Sequence, residues 1–233
     1  MIDIGHDHVL PRGVGPEANG AVRLTHRPGV WSTPGVSVAD RPLTDQGRER
    51  KRQLVDAAMS LFAERGYSAT RIADICARAG VAKGLFYWYF PTKLDLFDEL
   101  AHTMRQHLRR AQAEAMDPTA DPLTRIGQGV AASVRFMADH ATYFEFVDVE
   151  RADPAIAETL RAGNRVISAD VVTLVSDAQA DRTARPGDPR LLALGVLGTV
   201  ASFSSARRSG TIDLPIDELA EFVADWVVRS LQT

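Results

Sequence analysis

The segment Lys83-Gly84-Leu85-Phe86-Tyr87-Trp88-Tyr89-Phe90 carries the densest recognisable chemistry in the sequence. Phe86 and Phe90 are four apart, so on a helix they share one face. Lys83, Gly84, Tyr87 and Trp88 then point outward or to the sides. Two large aromatics on a short helix are costly to expose unless a partner covers them. A phenol can donate to a phosphate oxygen, and an aromatic face can pack on a sugar or a thymine methyl. Gly84 removes bulk where a backbone must come close to another surface. This is the chemistry of contact with a polyanion, not of bond making. No nucleophile–base pair, metal cluster or phosphate-cradling loop is legible, so the sequence points away from an enzyme. No cofactor or metal is expected.

Charge distribution agrees. The 233-residue chain has a formal net charge of −3, which by itself identifies no partner. Between Arg41 and Lys93, however, ten bases face five acids, a net of +5. Residues 94–233 hold fourteen arginines, no lysine and twenty-one acids, a net of −7. A basic segment beside an acidic remainder suggests a small polyanion-binding domain on a larger body. The single cysteine, Cys76, rules out a disulfide within the chain and reads as a buried structural thiol. No apolar run reaches the roughly 18 residues of a membrane span, and the start of the chain lacks a signal-peptide pattern. A cytoplasmic protein with no membrane partner is expected.

The elements that position these residues read as helices. Residues 1–42 contain six Gly and five Pro and support no periodicity. A flexible arm over 1–45 is expected, with Trp31, Arg12, Arg23 and Arg27 able to dock. His6 and His8 make a weak metal pair at best. From Arg48 to Arg65 the apolar spacing becomes helical, with Leu54, Ala58, Leu61 and Phe62 on one face. Gly66 ends that helix. Thr70 reads as the N-cap of a short helix with Ile72, Ile75, Cys76 and Ala79, ended by Gly80. A second short helix covers Lys83 to Tyr89, and Thr92 caps a long one running to about Met116. Asp-Pro pairs and further breakers divide the rest into Leu123–Asp139, His140–Arg151, Pro154–Asp181, Arg190–Arg207 and Pro215–Leu231. The fold class is all-α, with about nine helices.

Two short helices joined by a glycine turn form a helix-turn-helix candidate. Residues 48–97 closely resemble the DNA-binding domain of TetR-family transcriptional regulators. The resemblance rests on Ala57-Ala58, Leu61-Phe62-Ala63-Glu64-Arg65-Gly66-Tyr67, Thr70 and Ile72-Ala73-Asp74-Ile75. It continues through Ala79-Gly80-Val81-Ala82-Lys83-Gly84, Phe86-Tyr87, Phe90-Pro91 and Lys93. It implies a three-helix DNA-binding domain over 46–92 and a helical effector-binding and dimerisation domain over 93–233. On the matching positions, Thr70 and Arg71 would contact phosphates. Lys83, Gly84 and Leu85 would open the recognition helix in the major groove, and Tyr87 and Trp88 would lie at the DNA surface. Thr92 and Lys93 would clamp a phosphate at a helix N-terminus. The chain departs from the family at Ala82 and Leu85, which often carry hydroxyls there, and at Trp88, often a histidine. Apolar contact with thymine methyls would replace the lost hydrogen bonds.

The same resemblance places an effector pocket near Phe136, Met137, Tyr143, Phe144 and Phe146. Glu145, Asp148 and Glu150 read as a plain acidic face, and His102 and His107 as solvated. The last two helices carry Leu197, Ala201, Leu219, Val223, Trp226 and Val227, the expected dimer interface of a four-helix bundle across a two-fold axis. The implied protein is a homodimer on double-stranded palindromic operator DNA, a repressor released by an unidentified small molecule. An activator and a non-specific architectural DNA binder are the alternatives.

Overall fold

The structure is a computed structural model and describes residues 43–232. The expected arm, with His6, His8 and Trp31, therefore lies outside the described residues except at its end. There the first helix already begins at Asp45, three residues before the periodicity announces it.

Nine helices make up the described residues: α1 (Asp45–Arg65), α2 (Ile72–Ala79), α3 (Lys83–Tyr89), α4 (Lys93–Ala115), α5 (Pro122–Asp139), α6 (Ala141–Glu150), α7 (Pro154–Ala180), α8 (Pro189–Arg208) and α9 (Ile216–Leu231). The only β pairing among them is an isolated bridge between Ala184 and Gln232. Their ends follow local chemistry. Thr44 caps α1 by accepting from the Gly47 amide. Thr92 and Asp95 form a reciprocal capping box on α4. α5, α7 and α8 each start with an Asp cap followed by Pro, whose fixed φ suits the first helical turn. Gly80 ends α2 in the left-handed region, at φ 65° and ψ 33°, where a β-carbon would be strained.

Thr70 is not a cap. Arg71 occupies that position on α2, with no side-chain bond. Thr70 is 1% exposed and donates its hydroxyl to the carbonyls of Gly66, at 2.8 Å, and Leu61, at 3.2 Å. It ties the end of α1 to the loop entering α2.

Two apolar clusters hold the helices. In the first, Phe62, Phe86, Leu96 and Phe97 are enclosed by α1–α4, and Phe146 of α6 and Ile156 of α7 join them. In the second, Val134, Val175, Leu219, Val223, Val227 and Leu231 join α5, α7 and α9, with Val196 and Val200 of α8. The division expected at residue 92 is thus no gap in the packing. α4 starts in the first cluster, and its far end, at Gln112, bonds Ser133 of α5. α8 is the one described helix whose length and composition approach a membrane span. It buries Ala193, Val196, Val200 and Ser204 against its neighbours.

Candidate nucleic-acid interface and ligand cavity

α3 is anchored by Phe86, fully buried, and by Phe90 at its end, 3% exposed. With those rings fixed, Tyr87 and Trp88 are each 48% exposed. Lys83 is exposed at the first turn, its ammonium 5.8 Å from the Tyr87 ring centre. Gly84 is exposed with open space where a β-carbon would stand, and Leu85 is half-buried. The orientation read from the Phe86/Phe90 spacing is the one the helix adopts.

Neighbouring elements fix this surface. Tyr89 stacks edge-on against Trp88 at 4.6 Å and donates its hydroxyl to the Gly47 carbonyl at 2.8 Å. The start of α1 is thereby locked beside α3. A shallow groove results, walled by Gln46 and Arg50 on one side and Leu85 and Trp88 on the other. Sequence reasoning did not single out Gln46, Arg50 or Tyr89. The available signal was the Thr44 cap, which fixes where α1 begins.

Ion pairing sorts the basic residues. Arg48 pairs with Asp45, Arg52 with Glu49 and Asp56, Arg65 with Asp74, Arg78 with Glu64 and Lys51 with Glu99. Among the described residues, Arg50, Arg71 and Lys83 have no carboxylate within pairing distance. Lys93 has none either, but its ammonium is taken up by backbone carbonyls; of the other three, Arg50 and Lys83 belong to the α1/α3 face.

Lys93 is used differently from its sequence expectation. Its ammonium donates to the carbonyls of Tyr67, at 2.6 Å, and Thr70, at 2.8 Å, and lies 4.2 Å from the Tyr67 ring centre. Burial pushes its pKa below the ordinary lysine value. Lys93 fastens α4 to the loop before α2 instead of presenting a free charge. The Thr92 hydroxyl is likewise engaged in the capping box with Asp95. Of the two expected contacts at the start of α2, Arg71 is exposed and Thr70 is buried.

A cavity of about 660 Å³ opens among α4, α5, α7 and α8. Met137 and Phe144 line it, with Leu108, Val130, Val171 and Val200. A second space of about 460 Å³ adjoins it and takes Tyr143 and again Phe144. Two expected pocket residues are elsewhere. Phe136 is buried in α5 with its ring stacked 4.0 Å from His140. Phe146 is wedged between Phe62, at 5.5 Å, and Phe97, at 5.9 Å, in the core of the first cluster. Both lie on the wrong side of their helices, an orientation that adjacency in sequence does not reveal. Glu150 is no plain surface acid, since its carboxylate accepts from the Tyr67 amide at 2.9 Å and closes the loop after α1.

Three of the expected interface residues on α9 lie in the interior of the chain itself. Leu219, Val223 and Val227 are at most 1% exposed and pack in the second cluster. The face left open carries Trp226 and Phe222 on α9 with Leu191 and Leu194 on α8, each between 49% and 68% exposed. Ala201 is exposed beside them, and Leu197 is half-buried at the cavity wall. Gly195 and Gly198 leave open space on the same helix.

Comparison with known proteins matches residues 54–100 to the family model described as bacterial regulatory proteins, tetR family. The HTH-type transcriptional regulator YhgD of Bacillus subtilis is 26% identical over 151 residues, 64% of this chain and 79% of that protein. The HTH-type transcriptional activator FasR of Mycolicibacterium smegmatis is 28% identical over 172 residues, 73% of this chain and 76% of that protein. The solved structure of the fatty acid degradation regulator FadR from Bacillus halodurans superposes with a TM-score of 0.68 at 18% identity, covering 77% of this chain and 94% of that one. At that identity the superposition speaks for the fold alone.

Proposed function

Because the chain belongs to the TetR family of bacterial regulatory proteins, we propose that it is a homodimeric, sequence-specific regulator released from palindromic operator DNA by a small molecule. The observation that carries this reading is the exposed aromatic pair on α3, held outward by two buried phenylalanines and flanked by Lys83 on α3 and Arg50 on α1. Lys83, Gly84 and Leu85 enter the major groove, Tyr87 and Trp88 pack on sugar and thymine methyl, and Arg50 and Arg71 hold flanking phosphates. Apolar readout suits a helix whose Ala82 and Leu85 bring no hydroxyl.

A second copy covers the open α8/α9 face. Phe222 and Trp226 supply large apolar anchors, and Gly195 and Gly198 allow close helix approach. Leu194, Leu197 and Ala201 also border the larger cavity, so the partner closes one side of it. A two-fold dimer presents two recognition helices to half-sites one helical turn, or a multiple, apart.

The cavity communicates with the DNA face through α4 and α6. α4 is a 23-residue rod, about 34 Å long at ~1.5 Å per residue. Lys93 at one end grips the α1–α2 loop, and Leu108, Gln112 and Met116 at the other line the cavity. α6 contributes Phe144 to the cavity, Phe146 to the first core and Glu150 to the Tyr67 amide. An effector that fits one setting of these helices better than another shifts the recognition helices out of register. Differential affinity is required: a ligand that binds equally well with and without operator releases nothing.

The test is Trp88→Ala. Operator affinity should fall about ten- to a hundredfold, as for loss of a good base contact, with helical circular dichroism unchanged. Collapse of the circular dichroism would make Trp88 a core residue and remove the carrying observation. Relatives include a named activator as well as named repressors. Reporter transcription with and without the protein gives the sign, and repression is the expected outcome.

A further inference from the structure

The larger cavity carries the Asp170 carboxylate on its wall beside Arg161 and Arg165; the smaller one that adjoins it does not. Three arginines, Arg105, Arg151 and Arg161, lie on its wall, and no carboxylate does. Two of the three are already neutralised: Arg151 by Asp148, and Arg161 by Glu158 at 2.8 Å. Arg105, on α4, has neither an ion pair nor a hydrogen bond among the described residues, although it is partly buried. An unpaired guanidinium in a partly desolvated wall is costly unless something completes it.

Its seat is shaped for it. Gly163 of α7 is buried, and a β-carbon there would stand 2.5 Å from Nη1 of Arg105 and 2.8 Å from its Cδ. The guanidinium lies across the one place on α7 that has no side chain. Tyr143 of α6 lines the same space, and its hydroxyl has no hydrogen-bond partner among the described residues. Burial raises its pKa to about 12, against a smaller opposing effect of the Arg105 charge, so the phenol stays protonated as a donor. Asn164 adds an amide on the wall. The rest is apolar, with Met104, Leu108 and Leu160.

Leu108, Phe144, Ile167 and Ala201 border both cavities. Arg161 and Asn164 border both as well, so the two spaces form one site: a mainly apolar chamber of about 660 Å³, whose Arg165 and Asp170 are ion-paired with Glu158 and Arg109, and an end of about 460 Å³ that holds the unpaired Arg105. Together they are at the upper end of, or beyond, the range of about 300–1,000 Å³ typical of ligand pockets.

The geometry points to an anionic amphiphile as the effector: its hydrocarbon part fills the chamber between α5, α7 and α8, and its single carboxylate or phosphate is received by Arg105 and the Tyr143 hydroxyl. This rests on the reading of the larger cavity as the effector site. Guanidinium to carboxylate or phosphate is the charge-assisted pair that planar forked donors make best. The head then bridges α4 and α6, the two helices that reach the DNA-binding end.

The experiment is calorimetric titration of the purified full chain with dodecanoate, dodecyl phosphate and dodecanol, which share a tail and differ in the head. Both anions should bind roughly ten- to a hundredfold more tightly than the alcohol. The stronger of the two identifies the head as carboxylate or phosphate. Arg105→Met should bring the anions down to the alcohol and leave the alcohol unchanged. Gly163→Ala should do the same in milder degree by pushing the guanidinium aside without removing its charge. Circular dichroism guards both variants against misfolding.

Equal affinity for acid and alcohol, or a preference that survives Arg105→Met, overturns the assignment of the head while leaving the chamber as the effector site. Absence of binding by all three overturns the amphiphile itself. The regulator reading fails separately, by loss of specific DNA binding in the same preparations.

Discussion

Trp88 is half exposed while Phe86, two residues away on the same seven-residue helix, is fully buried. Substitutions at the two positions should therefore separate binding from folding. Trp88→Ala weakens DNA binding at constant stability, whereas Phe86→Ala costs about 3–5 kcal/mol and unfolds the first cluster in a denaturant titration. The same separation applies at 70 and 71. Arg71→Ala should lower affinity for all DNA and flatten the salt dependence by about one charge. Thr70→Val should leave the slope alone and lower stability by about 1–2 kcal/mol, because it deletes the buried bonds to Leu61 and Gly66. A flattened slope for Thr70→Val, or an unchanged one for Arg71→Ala, would reverse these roles. Residue type alone did not reveal this division. Threonine and lysine serve a phosphate and a backbone carbonyl equally well, and the choice depends on where the loop between α1 and α2 turns. Lys93 is the clearest instance, with its two carbonyl partners 26 and 23 residues away in sequence.

Helix periods, caps and breakers place most element ends within one to three residues, because Gly80, Thr92 and the Asp-Pro pairs act locally. α3 lacks such a cap, since Ala82 stands at its N-cap with no side-chain bond. Ala82→Ser should therefore raise stability by about 1 kcal/mol in chemical denaturation, and an unchanged midpoint would show that α3 is held by Phe86 and Phe90 alone. α6 was less legible. Its aromatic residues all look alike in sequence, yet Phe144 faces the cavity, Phe146 faces the DNA-binding core and Glu150 closes a distant loop. Which side each takes depends on how α6 is rolled against α1 and α4. That roll is set by packing partners far away in sequence, Phe97 of α4 and Phe62 of α1.

At the scale of the whole molecule, two phenols give a pH signature, Tyr143 buried and Tyr67 partly so. Burial raises the pKa of both Tyr67 and Tyr143 to about 12, with nearby carboxylates adding to the effect at Tyr67. Between the ordinary tyrosine value near 10 and about 12, the unfolded chain loses these protons while the folded chain keeps them. Stability should therefore be unaffected by these groups below pH 10 and fall as pH rises toward 12. In a spectrophotometric titration two phenols should ionise only near pH 12 or together with unfolding. The all-α fold and the basic segment from Arg41 to Lys93 were legible because composition and periodicity are local properties. The open α8/α9 face was only partly so. Both sides of α9 are apolar, and only the packing of Leu219, Val223 and Val227 on α5 leaves Phe222 and Trp226 outside. Leu194→Arg should accordingly convert a sedimenting dimer to a monomer, and Val223→Arg should unfold the chain instead.

Selection of bound sequences from random double-stranded DNA, followed by footprinting of the winner, decides whether this chain reads a specific operator. One enriched inverted repeat is expected, with half-site centres about 34 Å or a multiple apart, protected by the native chain and lost with Trp88→Ala. Enrichment of no sequence, with protection that is uniform along any DNA and fades with salt alone, would contradict that expectation. It would make this chain a non-specific DNA binder.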